Sequence, residues 1–351
     1  MNLDDLSLLQ NLDRLNMRGE IDSLPAQLEN AWQLGQSLPL PAMQGIQRVL
    51  IPGMGGSAIG ADLVAAYIAA SCPVPVVVHR DYGLPAWAES AGTLVVASSH
   101  SGETEETLDS FNTALQKGCR VIVISTGGEL EKRANAAGVP VWKFSHAGQP
   151  RAAVGWSFGL LISVLFRLGL ISDPSQEIAA SVAGMRTRQA VLSAGIPTAN
   201  NPAKRLAGRL VNRWVNVYGS GLLAPVARRW KDQLNELAKA GAGFEFLPEA
   251  NHNALAALVN PPMLDQVFTL FLTCPSDHPR NRRRIGLTRQ AFLSAGSNTD
   301  LFRAEGESPL EQMWSSLHFG DYLAYYLAIT YGMDPTPVEA LQAFKKALRS
   351  G

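Results

Sequence analysis

The feature that most constrains the fold is an apolar strand that stops abruptly in a loop of small hydroxyl residues and is followed by a helical pattern. The segment 93–107 reads TLVVASSHSGETEET, and its hydroxyl groups surround Gly102: Ser99, Ser101 and Thr104. Backbone N–H groups and hydroxyls converge in such a loop, and a helix N-terminus attracts negative charge. The loop has no Lys or Arg, which favours a phosphomonoester over a nucleoside triphosphate. The alternative is an ordinary strand–helix turn with a Thr N-cap.

A second strand ends in a comparable loop nearer the N-terminus. Residues 48–60 read RVLIPGMGGSAIG, where a short apolar strand precedes a glycine-rich turn and we expect a helix to begin at Ser57. The spacing is not the G-x-G-x-x-G of dinucleotide-binding folds, and the next strand, 74–79, ends in no acidic residue placed for a ribose. Glycine allows close approach to the backbone. Two such loops at strand ends of one sheet would form a single pocket at its carboxyl edge.

Predicted strands alternate with helical patterns, which indicates a parallel sheet with helices on both faces. The first set of strands is predicted at 48–52, 75–79, 93–98, 120–124 and 139–142. The segment 192–202, LSAGIPTANNP, has the Pro, Asn and small residues typical of a linker. Beyond it the pattern restarts, with strands at 214–218, 243–247, 266–273 and 298–303. Since 351 residues exceed one typical domain, we expect two α/β domains, 1–192 and 193–351.

The helices are predicted by apolar periodicity and by capping residues. They cover 5–14, 24–36, 57–70, 104–117, 129–137, 152–170, a helix that starts within 172–182, 203–210, a turn and helix over 219–240, 281–294, 308–331 and 337–349. Both halves therefore read as versions of one α/β unit, and YGSGLLAPVARRW at 218–230 faintly resembles the first glycine-rich loop.

Charge and composition exclude several classes of function. With 30 basic and 30 acidic residues, no global field recruits nucleic acid or a membrane surface. The basic run 280–284 is read as an exposed helix start in preference to a nucleic-acid patch. The longest apolar stretch, 156–170, is interrupted by Arg167 and is too short to span a bilayer.

The cysteines and the N-terminal segment indicate where the protein works. Cys72, Cys119 and Cys274 form neither a C-x-x-C pair nor a metal-ligand set, so we expect buried thiols in a reducing compartment. The N-terminal segment is amphipathic and acidic, unlike a signal peptide. We expect a cytoplasmic protein.

Several segments together resemble a known family. The segments GMGGSAIG at 53–60 and SHSGETEET at 99–107 resemble the two loops of the sugar isomerase (SIS) domain. The resemblance narrows to the bifunctional phosphoglucose/phosphomannose isomerases, because the family's later motifs follow in order: QPRAAVGW at 149–156, WKDQLNELAK at 230–239, EANHNAL at 249–255 and TPVEALQAFKKAL at 336–348. It implies two SIS-like domains, each a flavodoxin-like three-layer αβα unit with a parallel sheet.

The resemblance also implies catalytic roles for two residues that would otherwise be unremarkable. Glu236 lies off the apolar stripe of its helix and would be read as a solvated helix residue. In the family this Glu is the base that moves a proton between C1 and C2 of the sugar. Arg151 could be a solvated residue at a helix start, whereas the family places it beside the developing enediolate.

Two further residues are implied to assist ring opening. His252 could be a simple cap-region residue, but the family assigns it proton transfer with the ring oxygen, in the pocket of the neighbouring subunit. That arrangement would require a homodimer. Lys345 could merely complement the dipole of the last helix, whereas by the family pattern it reaches the pocket. Lys346 would point about 100° around the helix, so Lys345 is preferred.

The family pattern assigns the substrate's phosphate to Ser57, Ser99, Ser101 and Thr104, on loops shaped by three glycines: Gly55, Gly56 and Gly102. Two positions depart from it, since His100 and Glu103 stand where the family often has Tyr or Asn. Glu103 would weaken phosphate binding unless it points outward, and His100 would add a donor if protonated. The remaining histidines lack motif support and are read as structural: His79, His146, His278 and His318.

The implied activity is an aldose–ketose isomerisation of glucose 6-phosphate, and of mannose 6-phosphate, with fructose 6-phosphate through a cis-enediol. Two alternatives stay open: a phosphosugar sensor without catalysis, and an isomerase of another sugar phosphate such as an amino sugar or a pentose. The sequence has no His/Asp/Glu cluster with metal-ligand spacing, so we expect no metal and no cofactor.

Overall fold

The computed structural model describes residues 1–259 and 266–349. The first half of the chain forms a five-stranded parallel sheet in the order β2-β1-β3-β4-β5, which is the flavodoxin-like order. Its strands are β1 Arg48–Pro52, β2 Val76–His79, β3 Thr93–Ser99, β4 Arg120–Ser125 and β5 Val141–Lys143. The accompanying helices are α1 Leu6–Leu12, α2 Met17–Asp22, α3 Leu24–Ser37, α4 Gly55–Ile68, α5 Glu105–Gln116, α6 Gly128–Ala136, α7 Val154–Arg167 and α8 Ser175–Leu192.

Successive residues of the central strands face opposite helical layers. In β3, Leu94 and Val96 belong to a core shared with α3, α4 and α7, whereas Val95 and Ala97 belong to a separate core with α5 and α6. All residues of β3 are buried, as a strand covered on both faces requires. The arrangement is the predicted three-layer αβα unit.

The second half forms a four-stranded parallel sheet in the order β7-β6-β8-β9. Its strands are β6 Trp214–Ser220, β7 Ala242–Leu247, β8 Val267–Thr273 and β9 Asn298–Arg303, and its helices are α9 Pro202–Leu210, α10 Ala224–Glu236, α11 Pro279–Ser294, α12 Pro309–Thr330 and α13 Glu339–Arg349. Helix α11 covers one face through Ile285 and Phe292. Helices α10 and α12 cover the other.

Helix α12 joins the two halves. It starts in a capping box between Ser308 and Glu311, and nearly every side chain along it is buried. It packs against α8, α9 and α10, and its apolar residues belong to the same core as α3, α4 and α7. The two halves of the chain therefore share one continuous core.

The predicted order of strands and helices is confirmed, with a few differences. Helix α2 was not predicted, because Asn16 has a positive φ of 56° and separates two short helices. Helix α10 ends at Glu236 and not at Ala240, because Lys239 takes a left-handed conformation with φ 54°. Ser57 is the third residue of α4 and not its first.

The cysteines also differ from expectation. Cys274 is buried, but Cys72 and Cys119 are only half-buried, and all of them are free. The basic run at 280–284 lies in the first turns of α11, as predicted for an exposed helix start. Among the described residues, no helix combines the length and the apolar character that crossing a membrane would take.

Candidate active site

The two glycine-containing loops lie side by side at the carboxyl edge of the first sheet. Strands β1 and β3 are hydrogen-bonded neighbours, and the strand order reverses between them, where α/β sheets of this type bind their ligands. The loops touch directly, since the backbone N–H of His100 donates to the Oγ of Ser57 at 3.2 Å. The two loops therefore meet at one edge of the sheet, as predicted.

The hydroxyls of the second loop form a compact turn before α5. The Oγ of Ser99 donates to the Oγ1 of Thr104 at 3.0 Å and accepts from the N–H of Gly102 at 3.1 Å. Ser101 is exposed, and its Oγ accepts from the N–H of Glu103 at 3.2 Å. Thr104 is the N-cap of α5 but makes no side-chain cap bond, so its hydroxyl is not tied to the helix.

Gly102 is required by its conformation and by its neighbours. Its φ is +69°, and an added Cβ would lie 1.9 Å from the carbonyl oxygen of Gly127. Gly127 belongs to the next strand–helix loop, between β4 and α6. The loop that carries the hydroxyls of Ser99 and Ser101 therefore packs directly against the loop between β4 and α6.

Gly56 brings the first loop against the turn that carries Arg151. A Cβ at position 56 would lie 2.4 Å from the carbonyl oxygen of Pro150 and 3.3 Å from the Cα of Arg151. Its neighbour Gly55 has a φ of +49° at the start of α4. The N-terminus of α4 thus lies directly on the 3₁₀ turn Pro150–Ala152.

Arg151 and Glu236 come together from different halves of the chain. Arg151 Nη1 lies 3.7 Å from Glu236 Oε2, and their side chains are 7% and 28% exposed. Arg151 is held by two backbone carbonyls, those of Pro335 and Thr336, to which its Nη2 donates. Among the described residues its Nε is buried without a hydrogen-bond partner, so one donor of the guanidinium is left unsatisfied.

Burial raises the pKa of the Glu236 carboxyl above its ordinary value, although Arg151, Arg229 and Lys345 all act to lower it. Lys345, on the last helix, is exposed and has the smallest of these effects on the pKa. A carboxylate with a raised pKa beside a buried cation is a stronger base than a solvated one and is suited to exchanging a proton with substrate carbon.

His252 is not joined to this group within one chain. It ends the 3₁₀ turn Glu249–His252 after β7, and a second 3₁₀ helix follows. Its side chain is exposed. Among the described residues, neither a hydrogen bond nor an ion pair links it to Glu236, Arg151 or Lys345.

The structure shows the surroundings of Glu103 and His100, the two residues that differ from the family pattern. Glu103 points away from the phosphate loop, because its Oε1 accepts from the backbone N–H of Glu129 at 3.0 Å in the first turn of α6. The expected donor role of a protonated His100 is not supported. Burial, with a contribution from His146, lowers the pKa of His100 to about 4, so the ring is neutral at physiological pH.

Several residues around the site have no sequence signal. The Nε2 of His100 lies 2.9 Å from the Nδ1 of His146, whose Nε2 lies 2.9 Å from Glu20 Oε2. His146 was read as a structural residue, because it lacks motif support. Arg229 is buried and donates to the carbonyl of Arg151 at 2.7 Å. Within 1–259 and 266–349, no three His, Cys, Asp or Glu side chains are grouped so as to hold a metal ion.

The strand order and the paired glycine loops define an α/β protein of the SIS class. Residues 199–348 match the family model described as the bacterial phospho-glucose isomerase C-terminal SIS domain. A hypothetical protein from Thermus thermophilus has the same fold, with a TM-score of 0.74 and 16% identity over 98% of this chain and 94% of that one.

Relatives of known name narrow the class to one family. The bifunctional phosphoglucose/phosphomannose isomerase of Caldicellulosiruptor bescii is 37% identical over 329 residues, covering 93% of this chain and 97% of the relative. The protein of the same name from Aquifex aeolicus is 30% identical over 86% of this chain and 90% of its own length. The chain belongs to the family of bifunctional phosphoglucose/phosphomannose isomerases.

Proposed function

We propose that the protein is an aldose–ketose isomerase that interconverts glucose 6-phosphate, and mannose 6-phosphate, with fructose 6-phosphate. The observation that carries the proposal is the pair of Arg151 and Glu236, 3.7 Å apart, with the pKa of the carboxyl raised. A base that serves both C1 and C2, next to a fixed cation, meets the needs of a cis-enediol mechanism. A sensor of phosphosugars would have no use for such a pair.

In this reaction Glu236 removes the proton from one carbon and returns it to the other. Arg151 stabilises the negative charge that develops on the enediolate oxygen, because its guanidinium is already in place and needs no reorganisation. The substrate's phosphate is assigned to Ser57, Ser99, Ser101 and Thr104, supported by the contact of the two loops at the switch point of the sheet. Gly55, Gly56 and Gly102 shape these loops.

We assign His252 to the active site of a partner subunit, in a homodimer. This assignment is supported by its exposure and by its lack of a contact with Glu236 in the described part of one chain. Helix α13 supplies a surface for the dimer. Its side chains over 339–348 are exposed, and Leu341, Phe344 and Leu348, at 47%, 64% and 52% exposure, recur along one face. A partner that covers this face would also fix Lys345.

The oligomeric state can be tested on its own. Phe344→Glu places a charge on the apolar face of α13, and sedimentation should show a shift from dimer to monomer with loss of activity. Leu293→Glu on α11 is the matched control, because Leu293 is also half exposed, at 50%. A monomeric wild-type protein with full activity would contradict the assignment.

We place the enzyme in the cytoplasm, since three free cysteines suit a reducing compartment. Cys274 is not a candidate nucleophile, because burial raises the pKa of its thiol to about 12.

The activity is tested by a coupled assay on purified protein with each hexose 6-phosphate in turn, before and after exhaustive chelation. Turnover of both aldose phosphates to fructose 6-phosphate, unchanged by EDTA, is expected. Turnover of neither, together with tight binding of the sugar phosphates, would favour the sensor. Activity restored only by an added divalent metal would replace the enediol mechanism with a metal-dependent one.

A further inference from the structure

A chain of hydrogen-bonded side chains runs from helix α2 to the phosphate loop. Glu20 Oε2 lies 2.9 Å from His146 Nε2, and His146 Nδ1 lies 2.9 Å from His100 Nε2. His146 is nearly buried, at 8% exposure, and Glu20 is 25% exposed. The His100 ring also lines a small cavity that it shares with Gly56 and Ser57 of the first loop.

The position of His100 in the sequence connects these hydrogen-bonded side chains to the proposed phosphate loops. It stands between Ser99 and Ser101, and its backbone N–H donates to Ser57 Oγ. His146, the middle residue of this hydrogen-bonded series, belongs to the segment that leads directly into Pro150 and Arg151. The hydrogen-bonded chain therefore links the phosphate loop to the residues just before the proposed enediolate-stabilising cation.

The bonding pattern fixes the protons in the unliganded state. A carboxylate only accepts, so His146 Nε2 donates to Glu20. In a neutral ring this leaves His146 Nδ1 as an acceptor, and His100 Nε2 donates to it. Burial lowers the pKa of His100 to about 4, so His100 itself does not hold an extra proton at neutral pH. His100 Nδ1 is then left with a lone pair.

The two glycine-containing loops have no Lys or Arg to balance a phosphate dianion. We propose that the Glu20–His146–His100 chain supplies this missing positive charge by taking up one proton when a sugar phosphate binds. This inference rests on the proposed function. One proton from solvent joins His100 Nδ1, and the proton on His100 Nε2 passes to His146 Nδ1. His146 becomes an imidazolium paired with Glu20, and His100 stays neutral with an Nδ1–H.

Few titratable groups act on the His100 end of the hydrogen-bonded side chains. The titratable groups that act on His100 are His146, from the segment after β5, and Glu20, from α2. Glu103 and Lys143 lie on flanking segments but bond to α6: Glu103 accepts from Glu129 N–H, and Lys143 pairs with Glu131 at 3.0 Å. In this state the imidazolium of His146 is paired with Glu20, and the added proton removes one unit of net negative charge beside the phosphate loop.

The test is calorimetric titration with sorbitol 6-phosphate, which carries the phosphate but no carbonyl and cannot be isomerised. Measured at pH 7.5 in buffers of different ionisation enthalpy, the binding enthalpy gives the number of protons taken up. The wild type should take up about one proton. His146→Gln, whose amide can still bridge Glu20 and His100 but cannot be protonated, should take up none and bind about tenfold more weakly.

Two further variants separate this role from a purely structural one. Glu20→Gln, which removes the counter-charge and keeps the shape, should also abolish proton uptake. Glu103→Gln, a carboxylate lost from the same loop but outside the chain, should keep it. Binding without proton uptake in the wild type, or uptake retained in His146→Gln, would overturn this inference alone. No binding by the wild type would overturn the proposed function and this inference with it.

Discussion

Arg229 holds the backbone of Arg151 in place, because its Nη1 donates to the Arg151 carbonyl at 2.7 Å. Its other nitrogens bind Asp321 of α12 at 3.1 and 2.8 Å, and both side chains are almost fully buried. The same carboxylate also accepts from Gln233. The proposed catalytic cation is thus anchored to helices α10 and α12.

Asp321→Asn should therefore be strongly destabilising. It leaves the buried Arg229 guanidinium without a counter-charge, a situation that typically costs about 3–5 kcal/mol. Asp300→Asn is the control, because Asp300 pairs with Arg209 at the surface, where an ion pair contributes about 0–1 kcal/mol. Urea unfolding measures both. Equal, small losses of unfolding free energy would show that the buried pair does not anchor the site.

Gly56→Ala should lower kcat/KM, and the loss of transition-state stabilisation should exceed the loss of unfolding free energy. The added methyl group would meet the Pro150 carbonyl at 2.4 Å, so the turn that carries Arg151 must shift. Gly184→Ala in α8 is the matched control, since nothing lies within 4 Å of its added Cβ, and alanine there should stabilise by about 0.5–1 kcal/mol. An unchanged kcat/KM in Gly56→Ala would show that this contact does not position Arg151.

The double variant Ser101→Ala with Thr104→Ala should raise KM for fructose 6-phosphate steeply. Each hydroxyl that bonds to a charged phosphate contributes about 1.5–3 kcal/mol, so a rise of at least about tenfold is expected. Thr113→Ala removes a hydroxyl further along α5 and should leave KM unchanged. An unchanged KM in the double variant would show that the phosphate binds elsewhere.

Stability should fall on acidification because of His318. This side chain is fully buried, its Nε2 lies 3.0 Å from the Ile21 carbonyl, and burial lowers its pKa to about 4. Between about pH 6.5 and 4 the unfolded chain binds a proton that the folded chain does not, so stability is lost as pH falls, by at most about 1.4 kcal/mol per pH unit for this group. His100, whose pKa is also lowered, adds to the effect.

Denaturant unfolding of the wild type and of His318→Gln, followed from pH 7 to 4, measures this slope. The variant should show a shallower dependence on pH even if it is less stable at pH 7. His252→Asn, at an exposed position, should keep the wild-type slope. Parallel curves for the wild type and His318→Gln would exclude His318 as the cause.

The fold was predictable because its main signals are local. Strand β3 is an apolar run with a clear end, and the loop after it contains the glycine that its backbone requires at position 102. The end of α10 was not predictable, because Lys239 adopts a left-handed conformation in which its Nζ bonds to the carbonyls of Leu237 and Asp334. The second of these partners is distant in sequence.

The site was predictable only in part, for the same reason. Glu236, Arg151 and Lys345 were proposed as site residues through a family resemblance, since each alone is an ordinary charged residue. Arg229 and His146 gave no signal, because their roles depend on tertiary partners: His146 lies 46 residues from His100 and 126 from Glu20. Neither periodicity nor motif spacing carries such information.

The central claim is that Glu236 is the isomerising base, and the most direct measurement is the turnover of Glu236→Gln. A positioned base contributes about 10²–10⁴-fold, so kcat should fall by that factor with little change in KM. Exchange of the substrate's C2 proton with deuterated water should fall in parallel. Asp232→Asn, one turn earlier on α10, should retain most of the activity. Near wild-type turnover and exchange in Glu236→Gln, with normal binding, would contradict the account.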